Sequence, residues 1–481
     1  MRLSIVLRYT GFAILLNALF MAVSALVSLI SGIDTAFYPL LLSTILTAII
    51  GSFPLIFVPS DAESIRNKEG YAIVVLSWAA SSVIGMLPYI LWGGEFTVIN
   101  SLFESVSGYT TTGSTVLQDI EALPRGLLFW RSCTHAIGGA GIIIFALAIL
   151  PAAGKAKLSL SNIELSSLAK DNYRYKVDKI VRILLFIYLV LISSETVCLK
   201  LAGMDWFDAI NHSMSTVATG GFSTRNLSIA SYNNIWIELI IIFFMILSGL
   251  HFGLLFTTIT TKKASLFHSE VARYYLLTIL FGTIVLTFNL FFTNTYSLLD
   301  SLRYASFQFV TIITTTGFAT VDTALWPALS VLLLLFYSIH CGCAGSTAGG
   351  LKADRFLILL KIFKARMLKL QHPNAIVKIK MNEVLLSDDL ISAVLVFVSL
   401  YMISILVSTI LLTSMNVDLM TSFSSAVTCL GNVGPGFGEV SSLSNFSGLP
   451  SGGKFVCAIT MLLGRLELFG FIQIFLIKSW K

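Results

Sequence analysis

The chain has 481 residues, of which 56% are hydrophobic and only 12% charged, with a formal net charge of +6. Soluble domains carry about 25% charged residues, so there is too little polar material here for a wetted surface. This excludes a soluble enzyme, a nucleic-acid-binding protein and a disordered chain, and leaves a protein solvated mostly by membrane lipid.

A membrane-crossing helix needs about 20 apolar residues. In chain order the sequence predicts spans at 5–30, 36–58, 71–92, 125–150, 180–202, 232–258, 272–293, 326–367 (interrupted), 390–413 and 454–477, about ten in all. The first apolar run is longer than a signal-peptide core and has no small-residue cleavage site, so it reads as a retained span. Between these lie four semi-apolar stretches at 98–109, 205–217, 300–313 and 418–430, too short to cross. Such segments are tolerated at membrane depth only when buried in protein or lining a wet cavity. The six cysteines form no paired framework, and Cys133, Cys198 and Cys457 sit in apolar runs as core residues.

Lysine and arginine set the orientation. Placing both termini and the 59–70, 151–182, 259–273 and 352–389 loops on one side gathers 24 basic residues there, against six on the other. The basic side is cytoplasmic. The two longest loops on it, 151–182 and 352–389, offer a docking surface for a cytosolic partner, although ordinary positive-inside bias also accounts for them. The short segments all fall on the outer side, with Asp119, Glu121, Asp205, Asp208, Asp300, Asp322, Asp418 and Glu439. Carboxylates in that number would concentrate cations at an outer mouth.

Each short segment ends in a small-residue loop. The four run Ser107–Thr115, Ser215–Thr224, Thr311–Thr320 and Cys429–Gly438, and centre on Thr111-Thr112-Gly113, Thr219-Gly220-Gly221, Thr315-Thr316-Gly317 and Asn432-Val433-Gly434. Their central glycines, with Gly220 taken in the second, are 107, 97 and 117 residues apart. The unit is span, short helix, loop, span, repeated four times. A dehydrated cation needs its water shell replaced by oxygen ligands, and a ring of backbone carbonyls supplies them without a full charge. Glycine permits the backbone angles that aim those carbonyls at one axis. The expected fold is therefore an all-α polytopic membrane protein, with four helix–pore loop–helix modules in pseudo-fourfold arrangement around one pore and two extra N-terminal helices. The expected divisions are 1–70 for the extra helices, then 71–160, 161–262, 263–370 and 371–481 for the modules.

Two further features stand out. The eighth span is interrupted by Cys341-Gly342-Cys343-Ala344-Gly345-Ser346-Thr347-Ala348-Gly349-Gly350. Four glycines in ten residues disfavour a helix by about 1 kcal/mol each relative to alanine. The stretch reads as a broken helix lining a cavity, or as a site of close helix packing. Arg465 lies deep in the last span, where a charge is costly and usually functional. It could bond carbonyls of the broken helix, pair with Glu467 or reach the cytoplasm. Gly138-Gly139-Ala140-Gly141 reads as close packing, and Glu104 as either a partner of the first loop or a solvated charge. The histidines show no ligand spacing. No H-E-x-x-H, G-x-S-x-G or phosphate-loop pattern supports a membrane enzyme.

At these residues the chain resembles the Trk/Ktr/HKT superfamily of potassium transporters, over nearly its whole length. Gly113, Gly220, Gly317 and Gly434 match the family's filter glycines, with the second uncertain by one residue because Gly221 follows. Asn432-Val433-Gly434-Pro435-Gly436 resembles the fourth loop, and the two extra helices resemble the TrkH-type branch. The resemblance implies potassium as the transported ion, held at Thr112–Gly113, Thr219–Gly220, Thr316–Gly317 and Val433–Gly434. It implies a gate formed by Gly342–Gly350 and Arg465, a homodimer in a bacterial inner membrane, and a cytosolic nucleotide-binding ring of the TrkA kind. No cofactor is expected on this chain itself. A potassium symporter coupled to sodium or protons is the alternative that the sequence leaves open.

Overall fold

In the computed structural model of the chain, the described residues are 2–58, 67–149, 177–261, 265–375, 377–382 and 384–468. The 151–182 loop and the end of the 454–477 span fall largely outside them. Among the described residues, six helices are long and apolar enough to cross a membrane, or seven if one bent pair counts as a span. The expected spans at 125–150, 326–367 and 454–477 correspond to Arg125–Ile149, to the separate helices Ala328–Ile339 and Ala353–Gln371, and to Ser451–Arg465. A short hairpin pairing Lys380–Met381 with Val384–Leu385 holds the only strands among the described residues.

The two N-terminal helices, Leu3–Ile30 and Phe37–Phe57, cross where both are reduced to glycine. A Cβ on Gly11 would lie 2.8 Å from the Gly51 carbonyl, so only glycine allows this approach. The pair is fixed to the rest by polar contacts in an apolar setting. Arg2 pairs with Glu69, and Asn17 bonds Ser81 at 2.8 Å and receives the Tyr109 hydroxyl at 3.1 Å.

Four short helices, Val98–Tyr109, Trp206–Val217, Leu298–Ile313 and Leu419–Gly431, occupy the four expected short segments. Their starts follow from the sequence. Thr97, Ser297 and Asp418 cap the first, third and fourth by accepting a backbone N–H from three residues on. The caps account for part of the outer acidic residues. Asp119, Asp322 and Asp418 accept from nearby backbone N–H groups, while Glu121 accepts from Asn226 N–H and Asp208 from the Tyr232 hydroxyl, so these carboxylates order the outer surface rather than stand free.

The sixth span departs from expectation. It is two helices, Ile235–Ser248 and Phe252–Thr261, bent by 99°. The break at Gly249-Leu250-His251 leaves backbone groups that the interrupted eighth span satisfies. Cys343 N–H donates to Gly249 O at 2.9 Å, and Phe252 N–H donates to Gly345 O at 3.1 Å. The His251 ring caps the second piece by accepting from Gly253 N–H at 2.9 Å. Two broken helices therefore complete each other's backbone bonding, as irregular backbone within a membrane requires.

Candidate functional site

The four short helices end in one geometry. Thr112, Gly220, Thr316 and Val433 each donate a backbone N–H five residues back, to Ser107, Ser215, Thr311 and Thr428, at 2.8–2.9 Å. The preceding residues, Thr111, Thr219, Thr315 and Asn432, are left-handed, with φ of +52°, +55°, +58° and +53°. Asparagine tolerates this conformation, but a β-branched threonine rarely adopts it. Three strained threonines at equivalent points signal a backbone held for function.

Two residues later the backbone turns positive again, at Gly113, Gly221, Gly317 and Gly434, with φ of +81°, +85°, +82° and +101°. This settles the alignment of the second loop. Gly221, not Gly220, is the counterpart of the other three. A Cβ on Gly113 would overlap Gly220 O, one on Gly221 would overlap Thr316 O, and one on Gly317 would overlap Val433 O. A Cβ on Gly434 would lie 2.5 Å from Thr112 O. Each glycine thus faces the carbonyl of the next loop, in the closed order first, second, third, fourth, first. The carbonyls of Thr112, Gly220, Thr316 and Val433 form the ring, and side-chain-free neighbours allow it to close.

Hydroxyl and amide groups brace the ring. Thr110 and Thr112 share a hydrogen bond at 2.7 Å, and Thr314 and Thr316 share one at 2.8 Å. Asn432 Nδ2 reaches across to Thr112 Oγ1 at 3.0 Å and to Met461 O at 3.0 Å. Ser114 Oγ donates to Gly434 O at 3.0 Å. The following spans press close. A Cβ on Gly138 would overlap Tyr109 O, and one on Gly464 would overlap Leu430 O, so these glycines serve helix packing.

The Cys341–Gly350 stretch lies against the inner ends of these loops. Gly349 N–H donates to Thr315 Oγ1 at 2.8 Å, and Thr347 Oγ1 donates to Val217 O at 2.9 Å. Ser346 Oγ donates to Cys343 O at 2.6 Å, which tightens the turn. Gly345 and Gly350 are left-handed, with φ of +73° and +63°. Gly342 O accepts from Ala353 N–H at 2.9 Å, joining the stretch to the Ala353–Gln371 helix. Ala344 N–H is held by Asp354 at 3.2 Å. Ala348 packs in the buried interior beside Gly342.

Arg465 does not pair with Glu467, which binds Arg355 at 2.6 Å, nor does it reach solvent, being 2% exposed. Its guanidinium donates to Thr347 O at 2.9 Å and to Gly138 O at 3.1 Å. Among the described residues no carboxylate pairs with it, so a net positive charge sits beside the broken helix. Sequence reasoning missed its companion. Lys352, counted as a cytoplasmic loop charge, is buried and donates to Ala348 O at 2.6 Å. Two cations thus hold successive carbonyls of one short stretch. Among the described residues no group of three or more metal-binding side chains gathers at Cys341 and Cys343 or elsewhere.

Of the two readings offered for Glu104, the first holds: it is buried and accepts from Thr115 Oγ1 at 3.0 Å and Val116 N–H at 3.2 Å. Its ion pair with Arg131, at 2.8 Å, was not anticipated, nor were the partners of the other charges behind the outer ends. Asp208 accepts from Tyr232, Thr224 and Arg225. Burial alone would raise its carboxyl, but these three donors hold it at about 2. Glu238 and Arg303 form a two-pronged pair, at 2.8 and 2.6 Å.

Comparison with known proteins places this geometry. A family model described as TrkH, cation transport protein, matches residues 40–480. The chain is 36% identical to the Trk system potassium uptake protein TrkH of Escherichia coli K12, over 98% of both chains. It is 33% identical to the TrkH protein of Halomonas elongata over the full length of both. The crystal structure of the potassium transporter TrkH from Vibrio parahaemolyticus superposes with a TM-score of 0.90 at 32% identity, covering 98% of each chain.

Proposed function

We propose that this chain, which belongs to the TrkH family of cation transport proteins, takes up potassium across a bacterial cytoplasmic membrane with both termini inside. The observation that carries the reading is the interlocked ring, in which four left-handed glycines each face the carbonyl of the next loop. Potassium sheds water there onto the carbonyls of Thr112, Gly220, Thr316 and Val433, with Thr111, Thr219, Thr315 and the four glycines shaping the ring. The membrane potential, about 2.3 kcal/mol per charge per 100 mV, drives the ion inward.

The Gly342–Gly350 stretch is the gate in this reading. Its bonds to Thr315 and Val217 support a seat directly beneath the ring, and the Arg465 charge opposes a passing cation. The Ala353–Gln371 helix begins three residues after the stretch, is tied to it by the Ala353 N–H bond to Gly342 O, and carries several basic residues. A cytosolic nucleotide-binding ring could therefore move the gate by displacing that helix. A homodimer completes the reading.

The test is rubidium uptake into proteoliposomes holding this chain alone, with sodium as competitor and Gly317→Ser in parallel. Rubidium flux that sodium barely blocks, with discrimination weakened by the serine, supports the filter. Equal block of rubidium flux by sodium in the unmodified protein overturns it. Imposed sodium and proton gradients distinguish a channel from a symporter.

A further inference from the structure

The Glu104–Arg131 pair is the most deeply buried ion pair among the described residues, with side chains 0% and 1% exposed. A buried pair is costly to desolvate and gives no general stability advantage over apolar packing. Its position says what it is used for. Glu104 lies on the first short helix, Arg131 on the span that follows, and both contact the chain just beyond the ring.

The contacts form a single bracket between two loops. The Glu104 carboxylate accepts from Thr115 Oγ1 at 3.0 Å, from Val116 N–H at 3.2 Å and from Arg131 Nε at 2.8 Å. The guanidinium then crosses to the second loop, donating to Ser223 O at 3.1 Å while lying 4.1 Å above the Phe222 ring. Thr115 and Ser223 are each two residues past a ring glycine, Gly113 and Gly221. Carboxylate and guanidinium therefore fix the exits of the first and second loops at matching points.

The other two loops have no such device at the equivalent positions. Ala319 is held by a backbone bond from Ala230 N–H at 3.1 Å and by Ser228 Oγ at 3.2 Å. Gly436 donates its N–H to Val440 O at 2.7 Å. The chain has used its costliest buried interaction on one side of the ring only.

We propose that Glu104 and Arg131 are positioning residues for ion selectivity, setting the separation of the first and second loops and so the fit of the ring to potassium. The inference rests on the filter reading. A planar guanidinium is required because it bonds in two directions and stacks at once. A lysine could keep the charge opposite Glu104 but could not also reach Ser223 O and cover Phe222.

The experiment compares the unmodified protein with Arg131→Lys and Thr115→Val by rubidium flux and sodium competition in proteoliposomes, alongside thermal stability in detergent. Arg131→Lys is expected to lower the preference for rubidium over sodium about tenfold while keeping measurable flux. Thr115→Val removes the hydroxyl that donates to the Glu104 carboxylate and accepts from Arg131 Nη2 at 3.4 Å, leaves the ion pair itself in place, and is expected to give a smaller loss in the same direction. If Arg131→Lys does not assemble, the valine variant is read alone. Unchanged selectivity in the assembled variants overturns the proposal, as does a loss that only tracks melting temperature. A lack of selectivity in the unmodified protein instead overturns the filter reading itself, so the two failures are distinguishable.

Discussion

Replacing Arg465 with methionine should raise potassium flux in the absence of any partner. Methionine keeps much of the side-chain length and removes the charge and both donors. The guanidinium holds Thr347 O at 2.9 Å and Gly138 O at 3.1 Å, but only the first bond ties the gate stretch. A hydrogen bond from a charged donor contributes about 1.5–3 kcal/mol. Losing it should increase the fraction of chains with a released stretch by about 10- to 150-fold. A second effect has the same sign. At an effective dielectric of about 20, a unit charge about 10 Å from a cation opposes it by about 1.7 kcal/mol, and that barrier disappears too. Initial rubidium uptake into proteoliposomes measures the sum. Arg465→Lys, which keeps the charge but not the fork, separates the two terms and should give an intermediate rise. Unchanged or lower flux from well-assembled Arg465→Met protein would refute the reasoning.

Three further outcomes follow from the geometry. Thr315→Val keeps the side-chain shape but removes the hydroxyl that accepts Gly349 N–H, a bond of about 1 kcal/mol, and should raise basal flux about fivefold in the same assay. Gly349→Ala places a Cβ on Gly431 O and within 2.8 Å of Asn432 Cβ, so the stretch cannot seat; rubidium flux should rise while rubidium still outcompetes sodium. Asp208 has a folded-state pKa held at about 2, so its contribution is fully present above about pH 4 and is lost as the pH falls through 2. Thermal unfolding in detergent should therefore show Asp208→Asn less stable than the unmodified protein at pH 7, with the gap closing only at strongly acid pH.

The pattern of polarity made much of this fold legible. Short apolar runs between long ones, each followed by threonine and glycine, placed the four short helices within one or two residues of their observed ends. Local composition carries that information, because helix length and loop chemistry are local properties. Pairing across the fold was not legible. Arg131 reads as an outer-loop charge until the fold brings Glu104, 27 residues earlier, against it. Lys352 reads as a cytoplasmic charge until Ala348 O is found beside its ammonium. The bend after Ser248 was hidden because Gly249-Leu250-His251 lies in a continuous apolar run, and the bonds that stabilise it come from residues about 95 positions later. The register of the second loop needed backbone angles, since Gly220 and Gly221 are chemically identical.

On the proposed reading, filter and gate share atoms, and this constrains how the protein would work. Thr315 contributes its backbone to the left-handed turn that aims Thr316 O, while its hydroxyl receives Gly349 N–H from the gate stretch. Asn432 occupies the equivalent turn in the fourth loop, and a Cβ on Gly349 would collide with it. Val217, two residues before Thr219, receives the Thr347 hydroxyl. A gate bonded to the second and third loops and packed against the fourth cannot leave without removing hydrogen bonds from residues next to the strained turns of the ring. The left-handed threonines cost energy wherever they occur, and the seated stretch provides part of what offsets it. Opening should therefore loosen the inner end of the filter while the outer bracket of Glu104 and Arg131 stays in place. On this argument selectivity is held mainly from the outside and gating from the inside, and variants at the two ends should affect different readouts: sodium competition for Arg131, and basal flux for Arg465, Thr315 and Gly349.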